Sequence, residues 1–294
     1  MAGLGTRFSE QGYTLSKPLI EVSGTPMILK VIRDIPKADK WIFVIRREHL
    51  DYKVDELIKK EIPDAIFLID ENPIGQATSC MVAKDYLDTD EELFIAACDN
   101  GFLYNEEKFN QLRQRPDTDC IIWTFTQRET LRRNPTAWGW YRLEEDNKTI
   151  QDISVKVPVS DNPYNDHAVV ATFYFKKAKD FVTSINLMIE QDYRINNEFY
   201  VDSVPKFLKQ INKKSIIFDV DLYVGWGKPD DLHDYERIEF ISKYNIIPSN
   251  ITEEEKRLLP LWKRYFEKSN HQPQSNPQIH NNNETPTQHN NPML

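Results

Sequence analysis

Over its first 126 residues the chain alternates stretches of helical periodicity with short apolar runs. Met27, Ile28, Val31 and Ile32 share one face of a predicted helix from Pro26 to Ile35. The run Lys40-Trp41-Ile42-Phe43-Val44-Ile45 predicts a buried strand, amphipathic Glu48 to Glu61 a helix, and Ala65 to Ile69 the next strand. Helix Gln76 to Leu87, strand Leu93 to Ala97, helix Glu106 to Arg115 and strand Cys120 to Thr126 continue the series. Strands that are apolar throughout, separated by helices, predict an α/β fold with a mostly parallel sheet and helices on both faces.

From Ala137 the pattern changes. Trp138 to Leu143, Gln151 to Val157 and Val169 to Phe175 predict strands with no long helices between them. Helices return at Ala178 to Ile189 and Phe199 to Gln210, followed by a strand from Ser215 to Asp221. A helix from Pro229 to Tyr244 closes a predicted domain at 1–244, and 245–268 forms a helical extension in which Pro260 is expected to kink or divide the helix. Residues 269–294 collapse into Asn, Gln, Pro, His and Thr, with Glu284 the only charge; this composition predicts a disordered tail. There is no internal repeat.

A length of 294 residues suffices for one sizeable core. No stretch approaches the roughly 20 apolar residues of a membrane span, and Met1-Ala2-Gly3 does not open a signal peptide. A cytoplasmic protein is expected. Cys80, Cys98 and Cys120 leave an odd thiol and no CxxC pair, which favours buried thiols over disulfides or metal ligands. A net charge of −9 excludes nucleic acid as the expected partner. An acidic chain that binds nucleotides needs local cations, and this directs attention to a few basic residues.

The segment Met1-Ala2-Gly3-Leu4-Gly5-Thr6-Arg7-Phe8, followed by Lys17-Pro18-Leu19-Ile20, supplies them. Two glycines let backbone N–H groups approach an anion closely. Arg7 adds a planar fork of donors and Lys17 a mobile point charge. Together Ala2, Gly3, Leu4, Gly5, Arg7 and Lys17 suit a polyphosphate. Asp99 follows Leu93-Phe94-Ile95-Ala96-Ala97-Cys98 at the carboxyl end of a strand, where open α/β sheets gather ligands. A carboxylate there suits Mg²⁺ bridging phosphates, although Asn100-Gly101 also reads as an ordinary turn. Gly75-Gln76 opens a helix, and the Gln76 amide can both donate to and accept from a base edge; a solvated helix start is the plainer reading.

GxGxR with Lys-Pro ten residues on resembles the nucleotidyltransferases that make nucleotide-activated sugars, whose signature is GxGxR and then Pro-Lys-Pro-Leu. Ser16 replaces the first proline. The resemblance runs from Met1 to about Tyr244 and is nearest to the capsule and surface-polysaccharide branch, often labelled family-2 glycosyltransferase-like. It implies a glycosyltransferase-A-type, Rossmann-like fold, with NTP and a sugar 1-phosphate as substrates. It also implies nucleoside contacts at Gly75 and Gln76 and Mg²⁺ at Asp99. Gly139, in Trp138-Gly139-Trp140-Tyr141, would lie beside the sugar, although core is the safer place for two tryptophans. Lys156 would bind the sugar phosphate, with Val155 in place of the usual acidic neighbour. Glu198, in Asn197-Glu198-Phe199-Tyr200, would hold sugar hydroxyls.

Trp226-Gly227-Lys228-Pro229 resembles the family's closing Gly-Thr-Pro segment, but Gly225 stands where many members carry a second metal aspartate. Asp99 alone is then expected to hold the metal; Asp219 or Asp221 substituting for the missing ligand, or impaired catalysis, are the alternatives. Three rival readings stay open: a glycosyltransferase, cytidylyl transfer to a non-sugar phosphate, and a nucleotide-binding regulatory protein. A phosphate-binding glycine turn in an open α/β sheet ordinarily follows a central strand. The turn here begins at once, so an upstream strand, with Met1 internal, is a further expectation.

Overall fold

The computed structural model describes Met1 and residues 6–270; the expected phosphate-loop residues Ala2 to Gly5 and most of the expected tail lie outside them. Helix α1 (Thr6–Ser9) precedes a single 3-10 turn, Lys17–Leu19, and a hairpin of β1 (Glu21–Val22) and β2 (Thr25–Pro26). Helix α2 (Met27–Asp34) leads to β3 (Ile42–Ile45), α3 (Glu48–Asp51), α4 (Val54–Lys59) and β4 (Ile66–Ile69). Next come α5 (Gln76–Met81), α6 (Lys84–Leu87), β5 (Leu93–Ala96) and β6 (Asn100–Leu103). Helix α7 (Glu106–Arg113), β7 (Cys120–Phe125), α8 (Glu129–Arg133), β8 (Gly139–Leu143), β9 (Ile150–Val155) and β10 (His167–Phe175) follow. The last described elements are α9 (Ala178–Glu190), α10 (Val204–Gln210), β11 (Ser215–Asp219), β12 (Leu222–Gly225), α11 (Pro229–Tyr244) and α12 (Glu253–Asn270).

The α/β class is as expected. Strand β10 organises the main sheet. It pairs antiparallel with β7 along one edge, and β11 extends the sheet parallel to β7. Its other edge is divided: His167 and Ala168 pair with β8, whereas Thr172 to Phe175 pair with β5. Strands β5, β7 and β11 therefore share one direction and β10 opposes them. Between its two partners β10 slips register, with Ala171 in the left-handed region at φ 56°. An irregularity of this kind bends a strand. It lets β5 and β8 part, and the loop after β5 and the start of β8 carry candidate site residues. Strands β3 and β4 form a separate parallel ladder, and the Met1 amino group donates to the Val44 carbonyl at 2.7 Å.

Several elements depart from the periodicity. The expected helix over 48–61 divides at Lys53, whose φ is 56°. The Asn100-Gly101 pair, which reads as a turn, lies in β6 and pairs with β12, Gly225 opposite Asn100. Phe199 does not begin a helix. Its backbone is held by the preceding turn instead: Phe199 N–H donates to the Ile74 carbonyl at 3.3 Å, and Ala77 N–H donates to the Phe199 carbonyl at 3.0 Å. Pro260 neither ends nor divides α12. The lost helical donor is tolerated because Leu258, Trp262 and Tyr265 on the same helix are buried around Trp226 and Tyr235.

That docking surrounds a charged group. Lys30 and Asp34, on α2, are both buried. Lys30 Nζ donates to the Tyr235 hydroxyl at 2.6 Å, and the Tyr265 hydroxyl donates to Asp34 Oδ2 at 2.6 Å. Burial raises the Asp34 carboxyl to about 6, against the pull of Lys268, the Tyr265 hydroxyl and Lys30. A raised carboxyl favours the protonated folded state. The resulting penalty is absent below the unfolded value near 4 and complete above 6, so this group weakens the fold as pH rises through that window.

Two measurements test this packing. Gly75 has φ +132°, and a Cβ there would sit 2.5 Å from the Phe199 backbone nitrogen and oxygen. Gly75→Ala is expected to cost about 2–4 kcal/mol in urea unfolding, from backbone strain plus overpacking. Asp34→Asn is expected to remove a fall in stability of about 3 kcal/mol between pH 4 and 6; an unchanged pH–stability profile would exclude Asp34 as its source.

Candidate active site

Lys17, in the 3-10 turn after α1, reaches across to Asp99 at the end of β5. Its ammonium donates to Asp99 Oδ2 at 2.5 Å, with side-chain exposures of 20% and 29%. Burial works against the Lys17 charge, but Asp99 outweighs it and the net effect raises the lysine above its ordinary value. Arg7 is exposed on α1 and close enough to act electrostatically on Lys17. Phe8 beside it is 2% exposed, anchors the segment, and lies 5.9 Å below the Lys17 ammonium. Arg7, Lys17 and Asp99, remote in sequence, thus occupy one place.

The segment after β12 closes the other side of Asp99. Trp226 N–H donates to the Asp99 carbonyl at 2.9 Å, and a Cβ on Gly227 would stand 3.1 Å from Asp99 Oδ2. The absent side chain leaves the carboxylate uncovered. At Gly225, where a second carboxylate was of interest, an added Cβ would meet the Tyr223 hydroxyl at 2.9 Å. Asp219 is engaged through one oxygen: the Thr124 hydroxyl donates to Oδ1 at 2.7 Å and His167 Nδ1 lies 2.9 Å from it. Asp231, in the first turn of α11, shares the field of Asp99. Burial raises its carboxyl; Lys228 opposes that, and Asp234, Asp230 and Asp99 add to it.

Among the described residues, no group of three or more His, Cys, Asp or Glu side chains is arranged to hold a metal. One uncovered carboxylate beside a cationic segment nevertheless fits Mg²⁺, which takes hard oxygen ligands, few of them from protein, and completes its shell with phosphate and water.

Across the site, the Gly75 turn packs on Phe199, placing Glu198 and Tyr200 next to Gln76, which is half-buried at the start of α5. Burial and a hydrogen bond to Glu198 raise the Tyr200 hydroxyl, and Arg7 acts against the rise. The Arg7 charge is thus felt at both Lys17 and Tyr200. Lys156, at φ 66°, ends the β8–β9 ladder; its N–H donates to the Trp138 carbonyl at 2.8 Å and its ammonium stands 5.5 Å from the Tyr200 ring. Gly139 lies against Asp202, whose Oδ2 would be 2.4 Å from a Cβ at that position. Trp140 is fully buried core.

Of the described residues singled out from sequence, Lys17 meets Asp99 directly, Gly75 packs on Phe199 beside Glu198, Lys156 reaches the Tyr200 ring and Gly139 lies on Asp202, while Arg7 acts through its charge on Lys17 and Tyr200. Asp202 and Asp231 were missed. Asp202 falls inside an expected helix, and Asp231 reads as a helix-start acid favoured by the dipole. No local signal distinguishes either one.

The sequence profile of the nucleotidyl transferase family matches residues 1–239. No curated protein matches the chain by sequence. Solved structures share its fold at low identity. A nucleoside-diphosphate-sugar pyrophosphorylase from Vibrio cholerae RC9 has a TM-score of 0.63 at 16% identity, over 80% of this chain and 97% of that one. The inositol-1-phosphate CTP transferase of T. maritima has a TM-score of 0.62 at 15% identity, over 85% and 95%. A UDP-glucose pyrophosphorylase complexed with UDP-glucose has a TM-score of 0.61 at 16% identity, over 81% and 96%. No described helix is long and apolar enough to cross a membrane. With its profile match extending over most of its length, the chain belongs to the nucleotidyl transferase family and is a nucleotidyltransferase enzyme.

Proposed function

We propose that the enzyme transfers the nucleoside monophosphate of an NTP to a sugar 1-phosphate, releasing pyrophosphate and forming an NDP-sugar for surface polysaccharide in the cytoplasm. The observation that carries this reading is the Lys17–Asp99 pair, with Arg7 in electrostatic reach of Lys17 and of Tyr200, the ring that Lys156 approaches. A phosphate oxygen of the acceptor attacks the α-phosphorus in line. The new P–O bond forms as the bond to the β-phosphate bridging oxygen breaks, and the electron pair leaves with pyrophosphate.

Arg7 and Lys17 stabilise the charge that grows on the departing pyrophosphate. Lys156 holds the attacking phosphate, and Glu198 with the Gly75–Gln76 turn places acceptor and nucleoside against each other. Mg²⁺, held by Asp99 and phosphate oxygens, would supply further neutralisation of phosphate charge.

Purified full-length protein, incubated with each common NTP and a panel of phosphorylated sugars, cyclitols and alcohols, is expected to release pyrophosphate only with a matching pair. Lys17→Ala and Asp99→Asn are each expected to lower turnover by at least about a hundredfold, or roughly 3 kcal/mol of transition-state stabilisation. Near-normal turnover in either variant would remove that residue from the reacting centre.

A further inference from the structure

Helix α11 is apolar on two faces. Leu232, Tyr235, Ile238 and Ile241 turn one face into the core. At 3.6 residues per turn, Phe240 stands opposite that stripe, with Glu236 and Lys243 along one edge and Arg237 and Tyr244 along the other. Phe240 and Tyr244, together with Ile246 and Ile247 just beyond the helix, are each more than half exposed. The Phe240 and Tyr244 rings meet at 4.8 Å and form one continuous surface. That surface is held in shape from behind. Asn245 ends the helix in the left-handed region at φ 53°, and its side chain accepts a hydrogen bond from the Lys263 ammonium of α12 at 3.0 Å. Arg237 is paired with Glu255 of the same helix. A grouped, exposed apolar surface with a charged border marks an interaction site.

The border identifies the partner. Glu236 and Lys243 are two helical turns apart on the same edge, both are exposed, and among the described residues neither has an ion-pair partner. When two identical helices pack antiparallel, like edges face each other and the order of residues is reversed across the two-fold axis. With that axis at Phe240, Glu236 of each copy lies against Lys243 of the other, so the opposite charges meet twice. The two Phe240 rings meet at the centre, and Ile247 of each copy reaches the level of His233 in the other.

We propose that this face binds a second copy of the chain, the two α11 helices crossing antiparallel at Phe240 to form an isologous dimer. The proposal does not depend on the transfer chemistry or its acceptor. It does bear on the site, because α11 starts directly after the Trp226–Gly227 segment that meets Asp99. Pairing along α11 braces the helix from which that segment is held. An interface made of one helix face and one corner is small, so association in the micromolar range is expected.

Sedimentation velocity of the full-length protein from about 1 to 200 μM is expected to show a reversible monomer–dimer equilibrium. Phe240→Glu is expected to remain monomeric throughout, with unchanged far-UV circular dichroism and thermal midpoint. Glu236→Lys and Lys243→Glu each place like charges across the axis twice, and each is expected to weaken the dimer at least about tenfold. An equimolar mixture of these two variants restores both opposite-charge contacts, so it is expected to form a heterodimer at close to wild-type strength. A wild-type chain that stays monomeric at every concentration would overturn the proposal and leave the face to another occupant. So would a dimer of wild-type strength in Phe240→Glu, or a mixture of the two charge variants that associates no better than either alone. The charge variants lie on the exposed edge, so they decide the matter even where Phe240→Glu fails to fold.

Discussion

The ion pair between Lys17 and Asp99 joins the two ends of the chemistry. Lys17 arrives on a one-turn helix near the start of the chain, and Asp99 lies in the loop after core strand β5, 82 residues later. The pair is only partly exposed, so each charge faces a neighbour rather than bulk water. Lowered dielectric strengthens such a contact and makes an unpaired charge expensive. Phe8 and the Trp226–Gly227 segment, which hem it in, are themselves fixed by the packing of α11 and α12. The C-terminal helices are therefore part of what holds the site.

Close approach recurs around the site, and it explains the placing of several glycines. Gly75 admits the backbone of Phe199, Gly101 the carboxylate of Asp34, Gly139 the carboxylate of Asp202, and Gly227 the carboxylate of Asp99. In each case a Cβ would collide with or crowd a polar group. The glycines thus mark where one chain segment leans on another, not merely where the chain turns. Two of the admitted carboxylates, Asp34 and Asp202, are raised to about 6 by burial, and both lie directly behind strands that border the site.

The irregularity in β10 has a comparable role. A regular β10 would keep one neighbour along its whole edge. The slip at Ala171 lets β8 pair at one end and β5 at the other, so Gly139, at the start of β8, and Asp99, in the loop after β5, hang from separate neighbours. The residues around Asp99 and those around Gly139 gain separate supports on a common sheet.

Much of this was legible in the residues alone. Alternating apolar runs specify most of the core strands, because a strand buried on both faces must be apolar throughout. Arg7, Lys17 and Asp99 are recognisable because phosphate and metal chemistry demands those groups near a glycine turn and a strand end. What only the tertiary structure decided are the contacts whose partners are far apart in sequence. Local pattern cannot show that Asn100-Gly101 pairs with β12, that Phe199 is captured by the Gly75 turn, or that Pro260 sits within an unbroken helix secured by Trp262 and Tyr265. Nor can it show that Asp202 is buried over Gly139, or that Asp219 Oδ1 meets Thr124 and His167. Periodicity reports which face of an element is apolar; the field and the partners at a given carboxylate are set by groups that only folding brings near.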